Sequence, residues 1–197
     1  MQARPFRKAE GFFYSGKRYR SPNFPQSLLI TIEASNQQPV TSYMKQQLID
    51  AWRISNKMNL LLIDNISDEG MHQTLSTHGG RKIYEQLVHV HNVRLGWLEN
   101  AAKEIFVRYK FIDKQKPFDR EVLRRSFEES AVAIEELIEQ SWEHGGKVKG
   151  FKTGLIPFIS YLMAHDAHHR GHALLTLKES GLKIPETLKW GLWEWEK

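Results

Sequence analysis

Apolar residues recur at three- and four-residue steps along four long stretches of the chain, which is the spacing of one face of an α-helix. The pattern predicts four helices, which run from Thr41 or Ser42 to about Ile66, from Arg81 to Phe106, from Asp119 to the Gly145-Gly146 pair, and from Thr153 to Ser180. No segment between them resembles a strand with a partner strand. Four amphipathic helices of this length predict an all-α protein folded as a four-helix bundle.

The third helix has the clearest boundaries. The side chain of Asp119 is suited to cap a helix N-terminus, and Glu121 places a negative charge in the first turn, where the helix dipole favours it. Gly145 and Gly146 can adopt the left-handed backbone conformation with which helices commonly end. We therefore expect a helix with well-defined ends at both sides of this segment.

The two ends of the chain depart from the helical pattern. Residues 1–40 contain four prolines, which is typical of an extension and not of a core helix. The tail from Pro185 to Lys197 carries three of the six tryptophans, and we expect it to fold back onto the bundle. The predicted organisation is an N-terminal extension over 1–40 and one helical domain over 41–197.

The composition is that of an ordinary globular protein. Of 197 residues, 41% are apolar and 26% are charged, and no apolar run reaches the roughly 18–20 residues of a membrane span. The chain has no cysteine, so a metal site must use nitrogen and oxygen ligands. Without a disulfide framework or a signal-peptide pattern, we expect a cytoplasmic protein.

The net charge of +5 is concentrated at one end of the chain. Residues 1–20 carry six basic side chains and one acidic side chain, so the remaining residues sum to zero. A nucleic-acid-binding domain usually has a basic face of its own. A nucleic-acid partner is therefore not expected for the helical domain, although the short basic and aromatic arm could touch phosphate.

Histidines are clustered in the fourth predicted helix. His165, His168, His169 and His172 fall within eight residues, and three of them continue the apolar stripe Leu155, Ile159, Leu162, His165, His169, His172, Thr176. Buried imidazoles need polar partners, because an unpaired buried polar group costs about 1–3 kcal/mol. His165 and His169 are one helical turn apart, so both can reach one metal ion. The segment therefore predicts half of a metal site.

A third ligand is expected from the second helix, which contains His89 and His91. Residues two apart on a helix point about 200° apart, so only one of the two can face the ion. Apolar spacing does not decide between them, because each histidine lines up with apolar neighbours on its own face. Both remain candidates from the residues alone.

The sequence resembles the DinB/YfiT-like family of four-helix-bundle metalloenzymes, which includes thiol-dependent transferases. The resemblance covers roughly 42–196, and its motifs are His89 followed by Trp97-Leu98, and His165-x-x-x-His169-Arg170-Gly171. It implies a metal held by His89, His165 and His169, with His91 as the alternative on the second helix. The family usually has glutamine after the glycine, whereas this chain has His172, which is predicted either to ligate or to stand beside the ligands.

These features predict a divalent metal, with zinc or nickel expected first and iron or copper as alternatives. A three-histidine site with an open position indicates an enzyme, and the resemblance implies transfer of a low-molecular-weight thiol to a small-molecule substrate. The alternatives are a metal-dependent hydrolase and a non-catalytic metal-binding stress-response bundle. A homodimer is also expected. The further pocket candidates are Asn59, Trp97, Asp166, Arg170 and His172.

Overall fold

The structure, a computed structural model, describes residues 37–76 and 78–195. These residues form seven helices: α1 (Gln37–Asn65), α2 (Asp68–Met71), α3 (Ile83–Ala101), α4 (Lys103–Phe106), α5 (Arg120–Glu143), α6 (Leu155–Glu179) and α7 (Glu186–Gly191). Apart from one isolated bridge between Val148 and Phe151, the regular structure of the described residues is helical. The predicted all-α fold is confirmed, and most of the predicted extension lies outside the described residues.

The four long helices form the bundle. Helix α1 packs against α5 and α6, and α3 packs against the same two helices, so α1 and α3 occupy opposite corners. This arrangement places α3 beside α6, which are the two helices that carry the candidate metal ligands. No helix among the described residues is long and apolar enough to cross a membrane.

The predicted ends of α5 are confirmed by its capping contacts. The Asp119 carboxylate accepts a hydrogen bond from the Val122 backbone N–H at 3.0 Å, which satisfies one of the unpaired amides of the first turn. At the other end, Gly145 and Gly146 have φ angles of 73° and 71°, in the left-handed region that favours glycine. The helix therefore begins and ends where its sequence pattern predicted.

Two predicted boundaries were wrong. Helix α1 begins at Gln37, not at Thr41 or Ser42, because Pro39 lies within the first turn, where a missing backbone N–H breaks no helical hydrogen bond. The second predicted helix is interrupted at Ala102, whose φ and ψ of −146° and 71° separate α3 from the short α4. Alanine is a good helix former, so its sequence context alone gave no sign of this break.

The tail returns to the bundle as predicted. Helix α7 packs against α1, Leu188 is buried, and a Cβ atom at Gly191 would lie only 2.7 Å from Leu61 Cδ2. Glycine at this position therefore permits the close approach of the two helices. Trp190 and Trp193 do not join the core, since 60% and 79% of their surfaces are exposed.

The core consists of two apolar clusters with buried polar residues between them. One cluster contains Trp52, Leu98, Ile134 and Phe158, and the other contains Leu62, Leu87, Phe127 and Leu177. Along each long helix, the residues between the two clusters include buried polar side chains. We call this set the polar layer: Ser55, Asn56, Asn59, His91, Arg94, Ser130, Asp166 and His169.

Candidate metal centre

Helix α6 presents His165 and His169 on successive turns. Their ring centroids are 4.7 Å apart, His169 is buried with 8% of its surface exposed, and His165 is half-buried. The one-turn spacing brings the two rings to one place on the helix surface, as the sequence predicted for residues four apart. The pair therefore faces the neighbouring helix and not open solvent.

His89 of α3 completes a three-histidine group. Its ring centroid lies 5.3 Å from that of His165 and 5.2 Å from that of His169. One ring nitrogen from each residue lies within 4.8 Å of the corresponding nitrogens of the other two. Of the two candidates that the sequence left open on the second helix, the structure brings His89 to the pair on α6.

His91 points to a different part of the bundle. It is buried, its Nε2 lies 3.3 Å from the Lys110 carbonyl oxygen, and its ring packs on Phe127 at 6.5 Å between centroids. Residues two apart on a helix are separated by about 200°, which accounts for the different surroundings of His89 and His91. Burial lowers the pKa of His91 from 6.5 to about 4, so the ring is neutral at physiological pH.

We expect His91 to make the metal-free protein less stable as the pH falls from 6.5 to about 4. Its folded pKa lies below its unfolded value, so the unfolded chain binds the extra proton first and the stability present above pH 6.5 is lost on acidification. The expected loss in the free energy of unfolding is about 3 kcal/mol, because each unit by which the pKa of His91 is lowered corresponds to about 1.4 kcal/mol. Urea unfolding of wild type and His91→Gln in EDTA should give a flatter pH dependence for the variant; parallel curves would contradict this assignment.

The three-histidine group fits a divalent metal. Burial, followed by neighbouring positive charge, lowers the pKa of His89 and of His169 to about 4, so both rings are neutral with a free lone pair at physiological pH. Zinc–nitrogen bonds are about 2.0–2.1 Å, so two nitrogens on one ion lie roughly 3.3 Å apart, and small side-chain rotations reach this spacing from 4.8 Å. The donor set is entirely nitrogen, which suits zinc, nickel, copper and iron.

Gln86 holds the imidazole of His169. Its Oε1 lies 3.3 Å from His169 Nδ1 and 2.8 Å from His172 Nδ1, and its Nε2 donates to the Arg81 carbonyl oxygen. With Nδ1 of His169 bound to an amide oxygen, Nε2 is the nitrogen left for a metal. Gln86 was not among the site residues predicted from the sequence; its position three residues before His89, on the same side of α3, was the available signal.

The prediction that His172 faces the core is wrong. It is exposed, and its Nδ1 contacts Gln86 instead of joining the three-histidine group. Asp166 is buried on this part of α6, as His169 is. The helix is rotated slightly from the orientation that the apolar stripe predicted, because Asp166 and His169 face the polar layer together.

Asp166 is the acceptor at the centre of a buried hydrogen-bond network. Its Oδ2 lies 2.6 Å from Arg94 Nη2 and 2.8 Å from Asn59 Nδ2. Asn59 Oδ1 in turn accepts a hydrogen bond from Arg170 Nη1 at 2.8 Å. Arg170 and Asn59, both predicted to line a pocket, therefore bind each other; Arg170 is linked to Asp166 by hydrogen bonds through Asn59 and by the attraction of their charges.

The charge of Asp166 is compensated by Arg94. Burial alone raises the pKa of Asp166, but the charge of Arg94 and the hydrogen bonds from its neighbours outweigh burial and hold the pKa below its ordinary value. The two side chains are both 0% exposed. This carboxylate is therefore ionised in the folded protein.

Arg94 is the second site residue that was not predicted from the sequence. Its guanidinium lies between the rings of Trp52 and Phe127, at 4.7 and 4.8 Å from their centroids, and it also donates to Asn56 Oδ1 at 2.9 Å. A basic residue is ordinarily assigned to a solvated helix face. The signal in the sequence was its position in the series Leu87, His91, Arg94, Leu98, which has the three- and four-residue steps of a buried face.

Trp97, another predicted pocket residue, belongs to an aromatic group beside the histidines. Its ring packs edge-on against Phe151, Phe158 and Tyr161, with centroid distances of 5.7, 5.3 and 5.9 Å. Tyr161 is in turn 6.3 Å from the ring of His165. Trp97 is thus separated from the three-histidine group by Tyr161.

A cavity of about 690 Å³ lies along the part of α3 that precedes His89, and none of the three histidines is among its lining residues. Its wall includes Glu85 and Val88, which precede His89 on α3 by four residues and one residue, together with Arg81 and Lys114. Glu85 lies on the same face as His89, one helical turn away. The cavity is large enough for a small-molecule ligand, which typically occupies about 300–1,000 Å³.

Comparisons with known proteins agree with this fold. The DinB family profile matches residues 37–196. A crystal structure of a DinB-like protein from Bacillus cereus superposes with a TM-score of 0.57 at 16% identity, covering 71% of this chain and 95% of that one, which supports the shared fold. No curated protein matches the chain. Because the family profile spans the whole helical domain, the chain belongs to the DinB family.

Proposed function

We propose that this protein is a metal-dependent enzyme that uses His89, His165 and His169 to hold one divalent ion. The observation that carries the proposal is the convergence of three imidazole nitrogens within 4.8 Å, contributed by two helices. Three protein ligands that leave a position for substrate or water are typical of catalytic zinc sites, whereas structural zinc sites have four protein ligands. Zinc or nickel is the expected ion.

The surroundings of the site support an open coordination position. His172, the residue best placed by sequence to be a fourth ligand, is engaged with Gln86. Asp166, the nearest carboxylate in sequence, is held by Arg94 and Asn59. Within 37–76 and 78–195, the group of converging donors contains three residues. This arrangement argues against a closed structural site and so against the non-catalytic alternative.

Thiol transfer suits the site better than hydrolysis. A divalent metal, when bound, lowers the pKa of a thiol or water that it coordinates. Hydrolysis usually needs a general base near that water, as in zinc proteases, but Asp166 is ion-paired and Glu85 accepts a hydrogen bond from the Lys82 backbone N–H at 2.8 Å. A thiol has a lower starting pKa than water and depends less on such a base.

The cavity beside His89 provides the substrate region in this proposal. Arg81 and Lys114 line it and form no ion pair with any residue of the described ranges, while the same wall also carries the carboxylates of Glu85, Asp113 and Asp119. Both charges also lower the pKa of His89, after burial, which places them on the side of the histidines. The chain's own contribution is therefore to bind a small molecule in the cavity, attract its anionic group and direct its reacting atom toward the three imidazoles.

We expect metal-loaded protein to accelerate the addition of a low-molecular-weight thiol to a generic electrophile more than about tenfold over EDTA-treated protein, which is about 1.4 kcal/mol of the barrier. Mercaptoethanol and mercaptosuccinate serve as neutral and anionic thiols, and the anionic one should react faster because of Arg81 and Lys114. The measurement is the initial rate with zinc or nickel. Equal rates for metal-loaded and metal-free protein with both thiols would exclude the transferase.

The homodimer stays a prediction from the sequence, and so does the identity of the metal. Exposed Trp190 and Trp193 on the tail are compatible with an interface. Their role does not enter the chemistry proposed for the three-histidine group, which is formed within one chain.

A further inference from the structure

Two unsatisfied buried atoms face each other beside the three-histidine group. In the described part of the chain, the buried side-chain atoms without a hydrogen-bond partner are His91 Nδ1, Arg94 Nε, His165 Nδ1 and Asp166 Oδ1. The last two are 3.9 Å apart. This distance exceeds the roughly 3.2 Å limit of an N–H···O hydrogen bond, yet it is short enough to close by a side-chain rotation.

The Asp166 carboxylate is fixed in place by its other oxygen. Oδ2 accepts hydrogen bonds from Arg94 and Asn59, while the lone pairs of Oδ1 have no donor in the described residues other than the approaching His165 ring. The carboxylate is thus a rigid acceptor, because two helices hold Oδ2 and the side chain is fully buried. The movable member of the pair is the half-buried His165.

The second histidine of α6 already shows the corresponding contact. Nδ1 of His169 is bound by Gln86 Oε1, which leaves its Nε2 for a metal. Metal-binding histidines almost always donate their other ring N–H to a carboxylate, carbonyl or water, and this contact fixes the tautomer and the ring orientation. For His165, the acceptor in the equivalent place is Asp166 Oδ1.

We propose that Asp166 is a positioning residue, which accepts the Nδ1 proton of His165 when the site binds a divalent metal and thereby aims Nε2 at the ion. This inference rests on the proposed metal binding. The negative charge of Asp166 also strengthens His165 as a ligand through this hydrogen bond. Arg94, on the far side of the carboxylate, keeps that charge buried and correctly oriented without touching the histidines.

The test is metal affinity, measured by competition with a chromophoric chelator, in wild type, Asp166→Asn and Arg170→Met. Arg170 is the matched control, since it belongs to the same network through Asn59 but does not contact His165. We expect Asp166→Asn to bind zinc about 10–100-fold more weakly and Arg170→Met to stay within about threefold of wild type. Because Asp166→Asn leaves Arg94 unpaired, Asp166→Asn/Arg94→Gln is measured alongside it as the variant without a buried net charge.

A spectroscopic readout separates positioning from a purely structural role. In zinc-loaded protein with ¹⁵N-labelled histidine, the His165 Nδ1 proton should be a slowly exchanging low-field signal in wild type and Arg170→Met, and should be lost or shifted upfield in the Asp166 variants. Unchanged affinity and unchanged ring signals in a folded Asp166 variant would overturn the inference while leaving metal binding intact. Wild type that takes up no metal would overturn the proposed function itself, and this inference with it.

Discussion

Replacing His169 by alanine is expected to weaken metal binding by more than about a hundredfold. Loss of a single residue that supports a ligand already costs about 10–100-fold, and His169 is itself one of the three converging donors. Its ring centroid lies 4.7 Å from that of His165 and 5.2 Å from that of His89. Elemental analysis of untagged protein should give about one divalent ion per wild-type chain and none for the variant.

His168→Ala is the matched control for this experiment. His168 is the exposed neighbour of His169; its ring contacts the His169 ring edge-on at 5.1 Å and stacks on His172, but it is not one of the three converging donors. The control should keep the wild-type metal content, and any thiol-transfer activity should follow metal content across the three proteins. Full occupancy in His169→Ala, or equal loss in His168→Ala, would show that the metal is bound elsewhere.

Replacing Arg94 by leucine is expected to destabilise the metal-free protein by about 3–5 kcal/mol, because it leaves the Asp166 charge buried and unpaired. The substitution also removes the cation that lies between Trp52 and Phe127. The measurement is the free energy of unfolding from urea titration near neutral pH in the presence of EDTA. This is the largest stability effect that we expect from a single substitution in the bundle.

The double variant Arg94→Leu/Asp166→Asn separates charge from packing. If the unpaired carboxylate causes the loss, removing it should restore a large part of the stability, since replacing both members of a buried ion pair is often close to neutral. A single Arg94→Leu variant that stays within about 1 kcal/mol of wild type would show that Asp166 finds another partner or takes up a proton at little cost.

The long helices, and the pairing of His165 with His169 on α6, could be predicted from local sequence information. Asp119 caps α5 through its own side chain, and His165 and His169 converge because they are four residues apart on one helix. Both outcomes depend on contacts within a turn or two of the chain. For this reason the sequence pattern was sufficient to predict them.

The choice between His89 and His91 depended on information that the residues alone do not carry. Both are flanked by apolar residues, and only the rotation of α3 against α6 decides which one meets the α6 pair. The family resemblance pointed to His89, and the structure brings His89 to that place. The orientation of α6 about its own axis likewise decided that Asp166, and not His172, is buried.

Arg94 and Gln86 were missed for a related reason. Charged and amide side chains are assigned to the surface unless a partner is known, and their partners here come from other helices. Arg94 meets Asp166, 72 residues away, and Gln86 meets His169, 83 residues away. Such pairs become visible only when the helices are assembled, because the acceptor of the Arg94 charge and the histidines bound by the Gln86 amide oxygen lie on another helix.

The polar layer has a consequence for how the helices align along their axes. Sliding one helix along its axis by one turn moves its side chains about 5.4 Å. A core made only of the two apolar clusters could tolerate this shift, because each aliphatic side chain would exchange one aliphatic neighbour for another. With the layer present, the same slip would place Arg94 among aliphatic side chains and leave Asp166 without its cation. The ion pair therefore fixes the axial register of α3 relative to α6. In this register His89 lies opposite His165 and His169.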